Sequence, residues 1–461
     1  MSPTQLISVA IRLMEYFFHI HLLIAIMTYG IIATLFRKHL KRIRFRAINH
    51  EKIPFEHLNA PKVTFLIPVF NNAEGIIESV DAALWTDYPN INVIVINDGS
   101  DDQTLKHLIQ SYFLSPQATF ERNTNLSKTL IINLFQSQNH PNLMVVDKAH
   151  SGKADSLNIG IDLCDSELIC CMDSDSIITP DSMRKLVTKF IDEPSLVALG
   201  GAISPSNEII VKNGEIVRRK SSQPLFVGVQ IIEYLRSFTS WRTGWSYLDG
   251  LLIIGGALTL FKRQAIVDVG GYNTDSVCED LEIILSLHQH FMKYDIPYHV
   301  WTIPDVICWT RAPTSVEQLK RQRMRWMYGA LQSLKEHREL AFNNKSPIIG
   351  WMAFPHLIFI ESLAPILELL GLICFVSAFA FGLLSFEAFF IYGFLIFSIT
   401  GFFSWYSIAI NDAFISSFKS LWQVIRLGCI GLIEPLGYRQ RESYWRMYAW
   451  WKWITKRKNE W

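Results

Sequence analysis

Apolar residues are not spread evenly along this chain. They gather at about 16–36 and again across 348–435, while 45–345 has the mixture of an ordinary soluble domain. Roughly 20 consecutive apolar residues are enough for a helix to cross a bilayer. The pattern therefore predicts a soluble domain set between membrane segments. Length agrees, since 461 residues exceed one usual domain. So does composition: half the residues are apolar and 18% are charged, too apolar for an ordinary soluble enzyme and too polar for a pure membrane bundle.

The first apolar run lacks a basic leader and a small-x-small cleavage site, and it reads as an uncleaved membrane helix. A basic stretch, Arg37 to Arg46, follows it, and Lys452, Lys456, Arg457 and Lys458 close the chain. Basic clusters beside membrane segments mark the cytoplasmic side. The net charge of +1 gives no field that would favour nucleic acid. Seven cysteines, none in a Cys-x-x-Cys pair, suggest reduced thiols rather than a disulfide framework or a zinc site.

Between the flanks, short apolar runs alternate with helical patterns. Val63 to Val69, Ile91 to Ile96, Leu143 to Val146 and Leu168 to Met172 read as buried strands. A helix follows the first, with Ile76, Ile77, Val80 and Leu84 on one face. Such alternation predicts an α/β fold with parallel pairing. Residues 110–142 are polar and read as helix and loop. Residues 204–223 read as a surface loop or hairpin. Residues 315–341 form a basic amphipathic helix suited to a membrane interface. Beyond Pro347, helices are expected at about 348–364, 364–384, 386–410 and 418–436. Four crossings are favoured, with two crossings plus interfacial helices as the alternative. Glu361 and Glu368 face either a protein interior or water path, or a short interfacial segment.

Carboxylates sit where α/β sheets bind ligands, at strand carboxyl ends. Asp173-Ser174-Asp175 follows the fourth strand, and two carboxylates so placed can hold Mg2+ or Mn2+ against phosphate oxygens. Asp98 follows the second strand. It can accept hydrogen bonds from a nucleotide, or it can simply cap a helix. Ser151-Gly152-Lys153 leads into a helix, where a lysine can meet a phosphate, although the glycine spacing is not that of a Walker loop. Glu279-Asp280 opens an apolar helix, and either carboxylate could be a general base. In Gln322-Arg323-Met324-Arg325-Trp326, Arg325 can pair with a diphosphate and Trp326 can stack on a sugar ring. Gln322 shares a helical face with Trp326.

Taken together, Asp98, Asp173/Asp175, Glu279-Asp280 and Gln322-x-x-Arg325-Trp326 resemble the D, DxD, ED, QxxRW signature of processive family 2 inverting glycosyltransferases. The match spans about 60–330, and the Gly-Lys segment and Gly255-Gly256-Ala257 resemble that family too. The resemblance implies a GT-A (Rossmann-like) cytoplasmic domain inserted between transmembrane helices. It implies a UDP-sugar donor, Mg2+ or Mn2+, and inversion to a β-linked product. Carried over, Asp98, Lys153, Asp173 and Arg325 bind donor, Asp173 and Asp175 hold metal, Glu279 and Asp280 form the catalytic pair with Asp280 as base, and Gln322 and Trp326 bind acceptor. The boundaries that follow are 1–45 for a membrane helix and basic linker and 46–314 for the catalytic domain. They continue with 315–346 for the interface helix, 347–437 for the membrane region and 438–461 for a basic, Trp-rich cytoplasmic tail.

Two positions depart from the family pattern. Phe70-Asn71-Asn72 stands where Tyr-Asn-Glu is usual, and Cys278 stands where threonine is commoner. Layout is nearest to poly-N-acetylglucosamine synthases. The expected activity is transfer from a UDP-sugar, with UDP-GlcNAc foremost, to a growing polysaccharide at the inner or plasma membrane. Export of the product and a small membrane partner subunit are compatible with that reading. Transfer of one sugar to a lipid-linked acceptor is the second enzymatic reading, and a membrane scaffold is the non-enzymatic one.

Overall fold

The computed structural model describes residues 16, 20, 23–24, 26–38, 60–117, 122–207, 209–212, 215–219, 225–415 and 421–457. The basic stretch from 39 to 46 and Lys458 lie outside these residues.

A ten-stranded mixed sheet forms the centre, in the order β3 (Leu114–Pro116), β4 (Ile131–Ser137), β5 (Leu143–Lys148), β2 (Ile91–Asn97), β1 (Val63–Val69), β6 (Leu168–Met172), β11 (Leu258–Lys262), β8 (Leu196–Pro205), β12 (His299–Thr310), β7 (Ser176–Ile178). Its parallel heart is β1 (Val63–Val69), β2 (Ile91–Asn97), β5 (Leu143–Lys148) and β6 (Leu168–Met172). These are the four apolar runs expected from sequence. Buried on both faces, they need no polar alternation. In β1, Leu66 joins one core while Phe65 and Ile67 join the other, as the two-residue period of a strand requires. Helices α2 (Ile76–Leu84), α3 (Thr104–Tyr112) and α5 (Ser182–Asp192) bury Val80, Leu108 and Leu186 in the second core. Helices α4 (Lys153–Leu163) and α9 (Glu279–Lys293) bury Leu157 and Ile284 in the first.

The reading of 110–142 as helix and loop is corrected. The segment holds β3 (Leu114–Pro116) and β4 (Ile131–Ser137), paired antiparallel at one end of the sheet. In β4 the apolar Ile132 is exposed and the polar Ser137 is buried, so polarity does not alternate and the strand period is hidden. The far half of the sheet mixes directions. β11 (Leu258–Lys262) runs antiparallel to β6 and to β8 (Leu196–Pro205). β12 (His299–Thr310) runs parallel to β8, and β7 (Ser176–Ile178) antiparallel to β12. The segment expected as a loop or hairpin carries β9 (Ile209–Lys212) and β10 (Glu215–Arg219), paired antiparallel.

An apolar stretch with three charges then forms α6 (Leu225–Tyr234), a π-helical turn (Leu235–Trp241) and α7 (Arg242–Tyr247). Helix α10 (Val316–Glu336) starts at a capping box: Ser315 Oγ accepts from Gln318 N at 3.2 Å, and Gln318 Oε1 accepts from Ser315 N at 3.4 Å. Its apolar face, with Leu319, Met324, Met327 and Leu331, packs on Trp445 and Ala449 of the C-terminal helix Tyr438–Ile454. The basic tail is thus helical over those residues and covers the face that composition assigns to a membrane surface.

Helices occur in all four C-terminal apolar runs. Among the described residues one, Phe386–Asp412, is long and apolar enough to cross a membrane. Ile348–Ser362 and Ala364–Ala380 pass that test only together, as a span bent by 43°. Leu421–Ile433 is apolar but shorter. By length and composition, the described residues thus hold one such helix, or two with the bent pair, where four crossings were favoured. The first apolar run is helical over 26–38 and meets the C-terminal helices: Tyr406 Oη donates to Ala33 O at 3.0 Å, and Phe36 packs on Ile410. Glu361 accepts from Trp241 Nε1 at 3.0 Å, and Glu368 accepts from Arg439 Nε at 3.1 Å. Both face protein.

Candidate active site

The parallel strands β5, β2, β1 and β6 share one carboxyl edge, and the sequence-predicted carboxylates collect there. A cavity of about 440 Å3 opens beside them. It is lined by Lys153, Asp173, Asp175, Glu279 and Asp280 on the sheet side. Gln322, Arg325 and Trp326 line its α10 side. Sequence separations of over 100 residues thus close into one space.

Lys153 is the first residue of α4. Its Nζ lies 2.5 Å from Asp173 Oδ1 and 2.6 Å from Glu279 Oε1, so one ammonium joins the strand-end pair to the start of α9. Burial lowers the pKa of Lys153, but Asp173 and Glu279 together hold it well above the usual lysine value. Glu279 responds in kind. Burial raises it, yet the charge and hydrogen bond of Lys153 outweigh burial and leave it below the ordinary glutamate value.

Asp280 behaves differently. Burial and then the negative charge of Glu279 raise its pKa, against the pull of Lys153 and Arg242. Two adjacent carboxylates with opposite shifts are what a division into anchor and base requires. The floor between them is bare backbone: a Cβ at Gly256 would lie 3.2 Å from Lys153 Nζ and 3.4 Å from Asp280 Oδ2.

Asp173 and Asp175 are both raised, first by burial. Lys153 opposes this and holds one oxygen of Asp173, and Thr310 Oγ1 donates to Asp175 Oδ1 at 3.4 Å. Two cavity-lining carboxylates whose ionised forms are penalised by burial fit a hard divalent cation, which would restore the charged state.

Asp98 is not among the cavity-lining side chains. It is 3% exposed and its carboxylate is occupied. It accepts from Ser151 N and Gly152 N at 2.9 Å each, and pairs with the fully buried Lys148. Asp98 thereby holds the loop that presents Lys153. The neighbouring Asp102, two residues before α3, accepts from Thr104 N through Oδ1 at 2.8 Å. The divergent first turn is tied to the same edge: Asn72 Nδ2 donates to Ser174 O at 2.9 Å, and the rings of Phe70 and His150 lie 4.4 Å apart.

On α10, Gln322 Oε1 is buried with no hydrogen-bond partner, so its carbonyl is available to a ligand. Cys278 caps α9 and packs against α10: its Sγ lies 3.8 Å from Arg325 O, and a Cβ at Gly329 would reach that sulfur at 2.5 Å. The unusual cysteine therefore sits at the contact between the two helices that carry Glu279-Asp280 and Gln322–Trp326.

Three groups were missed from sequence. Arg242 lines the cavity with a buried, unpartnered Nη1, and burial pushes its pKa down to about 10 against the charge of Asp280. Arg323 donates to Glu233 Oε2 at 2.6 Å and lies 3.5 Å from Glu442 Oε1. Lys148 pairs with Asp98 and Asp155. The available signal was charge inside apolar surroundings, as with Glu233 and Arg242 in the stretch 225–247.

A lysine at a helix start, two carboxylates after a strand, a second acidic pair at a helix start and an aromatic-basic helix thus face one cavity. The profile described as Glycosyl transferase family group 2 matches residues 168–410, more than half of the chain, and that of Glycosyl transferase family 2 matches 64–129. The chain belongs to the family 2 glycosyltransferases. It is similar to poly-beta-1,6-N-acetyl-D-glucosamine synthases of Staphylococcus epidermidis (27% identical over 322 residues, 70% of this chain and 66% of the relative) and of Staphylococcus aureus strain COL (27% over 306 residues, 66% and 63%). The matched stretch thus spans just under two thirds of the length of these relatives. A mannosyltransferase of Pyrobaculum calidifontis, solved with GDP-Man and Mn2+, shares the fold with TM-score 0.52 and 17% identity, over 93% of this chain and 99% of that one. The fold is GT-A-like, mixed α/β around a central sheet.

Proposed function

We propose that this protein is a membrane-bound inverting glycosyltransferase that extends a β-linked polysaccharide from UDP-GlcNAc. The observation that carries the reading is the single cavity that brings Asp173/Asp175, Glu279-Asp280 and Gln322–Trp326 together. The similarity to named synthases supports the polymer and the sugar.

In this reading Asp173 and Asp175 hold Mg2+ or Mn2+, which when bound neutralises the leaving diphosphate. Lys153 and Arg325 supply fixed positive charge to the same phosphates. Asp98 acts through the loop it holds, keeping Lys153 in place beside the nucleotide. Trp326 and Gln322 seat the acceptor end, the ring by stacking and the free carbonyl by accepting a hydrogen bond from a hydroxyl. Asp280 takes the proton of the attacking hydroxyl, and its raised pKa suits it to that task. Glu279 stays ionised against Lys153 and positions both.

The catalytic domain faces the cytoplasm in this account, with the bilayer beside the apolar helices and the polymer passing outward among them. The substitution Asp173→Ala tests the donor site. Cation-dependent UDP binding should be lost from the folded protein, and unchanged cation-dependent affinity would refute the assignment.

A further inference from the structure

A second cluster of ligating groups lies outside the cavity, where the C-terminal end of α10 meets α9. Glu282, Glu336 and His337 bring one oxygen, one oxygen and one nitrogen within 4.8 Å of one another. Glu282 and His337 are buried, at 3% and 7% exposed, and Glu336 is on the surface.

The hydrogen bonds around the cluster say what it lacks. Gln289 Nε2 donates to Glu339, so Gln289 Oε1 is the acceptor for His337 Nδ1 at 2.6 Å. That fixes the Nδ1–H tautomer and turns Nε2 toward Glu282 Oε1, 3.2 Å away. In neutral imidazole those two atoms present lone pairs to each other. Ser286 donates to Glu282 Oε1 at 2.7 Å, while Glu282 Oε2 is buried with no partner. A protonated imidazole would satisfy Oε1 alone. A cation would satisfy the facing lone pairs, the orphaned oxygen and the approach of Glu336 at once.

Spacing and surroundings agree. In a tetrahedral zinc site with metal–ligand distances of about 2.0 Å, neighbouring ligand atoms are roughly 3.3 Å apart; His337 Nε2 and Glu282 Oε1 stand at 3.2 Å, and the Glu336 oxygen, within 4.8 Å of both, would draw in on binding. Metal-bound histidines characteristically donate their other N–H to an oxygen, as His337 does to Gln289. Glu336 accepts from Gln332 Nε2 at 3.2 Å, and Gln332 Oε1 accepts from Val277 N just before Glu279-Asp280.

We propose that Glu282, Glu336 and His337 form a site for a divalent transition-metal ion of the zinc class, fastening α10 to α9 one helical turn from Glu279. The imidazole distinguishes it from the all-carboxylate Asp173/Asp175 pair, since hard Mg2+ prefers oxygen ligands alone. It does not depend on the sugar-transfer reading.

The test is metal content. Full-length protein in nanodiscs is stripped with chelator, re-equilibrated with Zn2+ under excess Mg2+, washed, and measured by elemental mass spectrometry. Wild type and Asp173→Ala should each retain a stoichiometric zinc ion. Glu336→Ala, which alters an exposed side chain and leaves the fold intact, should lose it, as should His337→Gln. Gln289→Ala should weaken zinc affinity about 10- to 100-fold. Cobalt loaded in place of zinc should show visible absorption bands that His337→Gln abolishes. Wild type without retained zinc, or Glu336→Ala and His337→Gln both retaining it, would overturn the site and leave an ordinary imidazolium–carboxylate pair.

Discussion

The Lys153 ammonium lies 2.6 Å from the Glu279 carboxylate, joining the first residue of α4 to the first residue of α9. Its other partner, Asp173, belongs to the strand-end pair, so one cation sets the distance between the donor side and the base side of the cavity.

Removing that cation should damage binding more than folding. In Lys153→Gln, Asp173 and Glu279 face each other without a positive charge between them. A charge-assisted hydrogen bond contributes about 1.5–3 kcal/mol, so UDP affinity should fall roughly ten- to hundredfold. Titration calorimetry with UDP and Mg2+ checks this, and unchanged affinity would contradict a donor-binding role.

Asp280 should control the chemical step. Asp280→Asn should lower kcat by about 10²–10⁴-fold, the usual range for general base catalysis, with UDP affinity close to wild type. The acid limb of kcat is a second readout. A base works when deprotonated, so activity is lost as pH falls through its pKa. Burial and Glu279 raise Asp280, which places that limb above the ordinary aspartate value of about 3.9. Glu279→Gln removes the second cause and should move the limb to lower pH in any residual activity.

Much of this arrangement was legible in the sequence. β1, β2, β5 and β6 are continuous apolar runs, and a doubly buried strand allows little else. The carboxylates at their ends then follow from the geometry of parallel sheets. β3 and β4 escaped notice because Asn133, Gln136 and Ser137 interrupt the apolar residues of β4 without a two-residue alternation. The role of Asp98 was only half visible: its position at a strand end was clear, but its partners Lys148, Ser151 and Gly152 are brought to it by β5. Arg323 lies inside the box read as sugar-binding, yet its partners Glu233 and Glu442 come from two other helices. Pairings of that kind are made by tertiary packing and leave no local pattern.

Arg323 should be structural. It is nearly buried between Glu233 and Glu442; burial raises the pKa of Glu233, and the Arg323 charge opposes that shift. Breaking a buried pair by removing one partner costs about 3–5 kcal/mol. Arg323→Met should therefore lower the unfolding midpoint markedly in nanodiscs, and Arg323→Met with Glu233→Gln should recover part of the loss. Equal stability of the single variant and wild type would contradict the network.

Gly329 should be intolerant of any side chain. A Cβ there would meet Cys278 Sγ at 2.5 Å and Cβ at 2.6 Å, so α10 must move away from α9. Gly329→Ala should cost activity well beyond its effect on helix propensity, because it separates Gln322–Trp326 from Glu279-Asp280. Gly329→Ala together with Cys278→Gly, which removes both of those atoms, should regain part of that activity; no recovery would contradict the close approach.

The most direct test is the product made by purified full-length protein in nanodiscs from radiolabelled UDP-GlcNAc with Mg2+ or Mn2+. The account predicts UDP release together with a ladder of lengthening N-acetylglucosamine polymer, absent in Asp280→Asn. A single sugar added to a lipid acceptor, or no transfer from UDP-GlcNAc while another UDP-sugar is used, would contradict it.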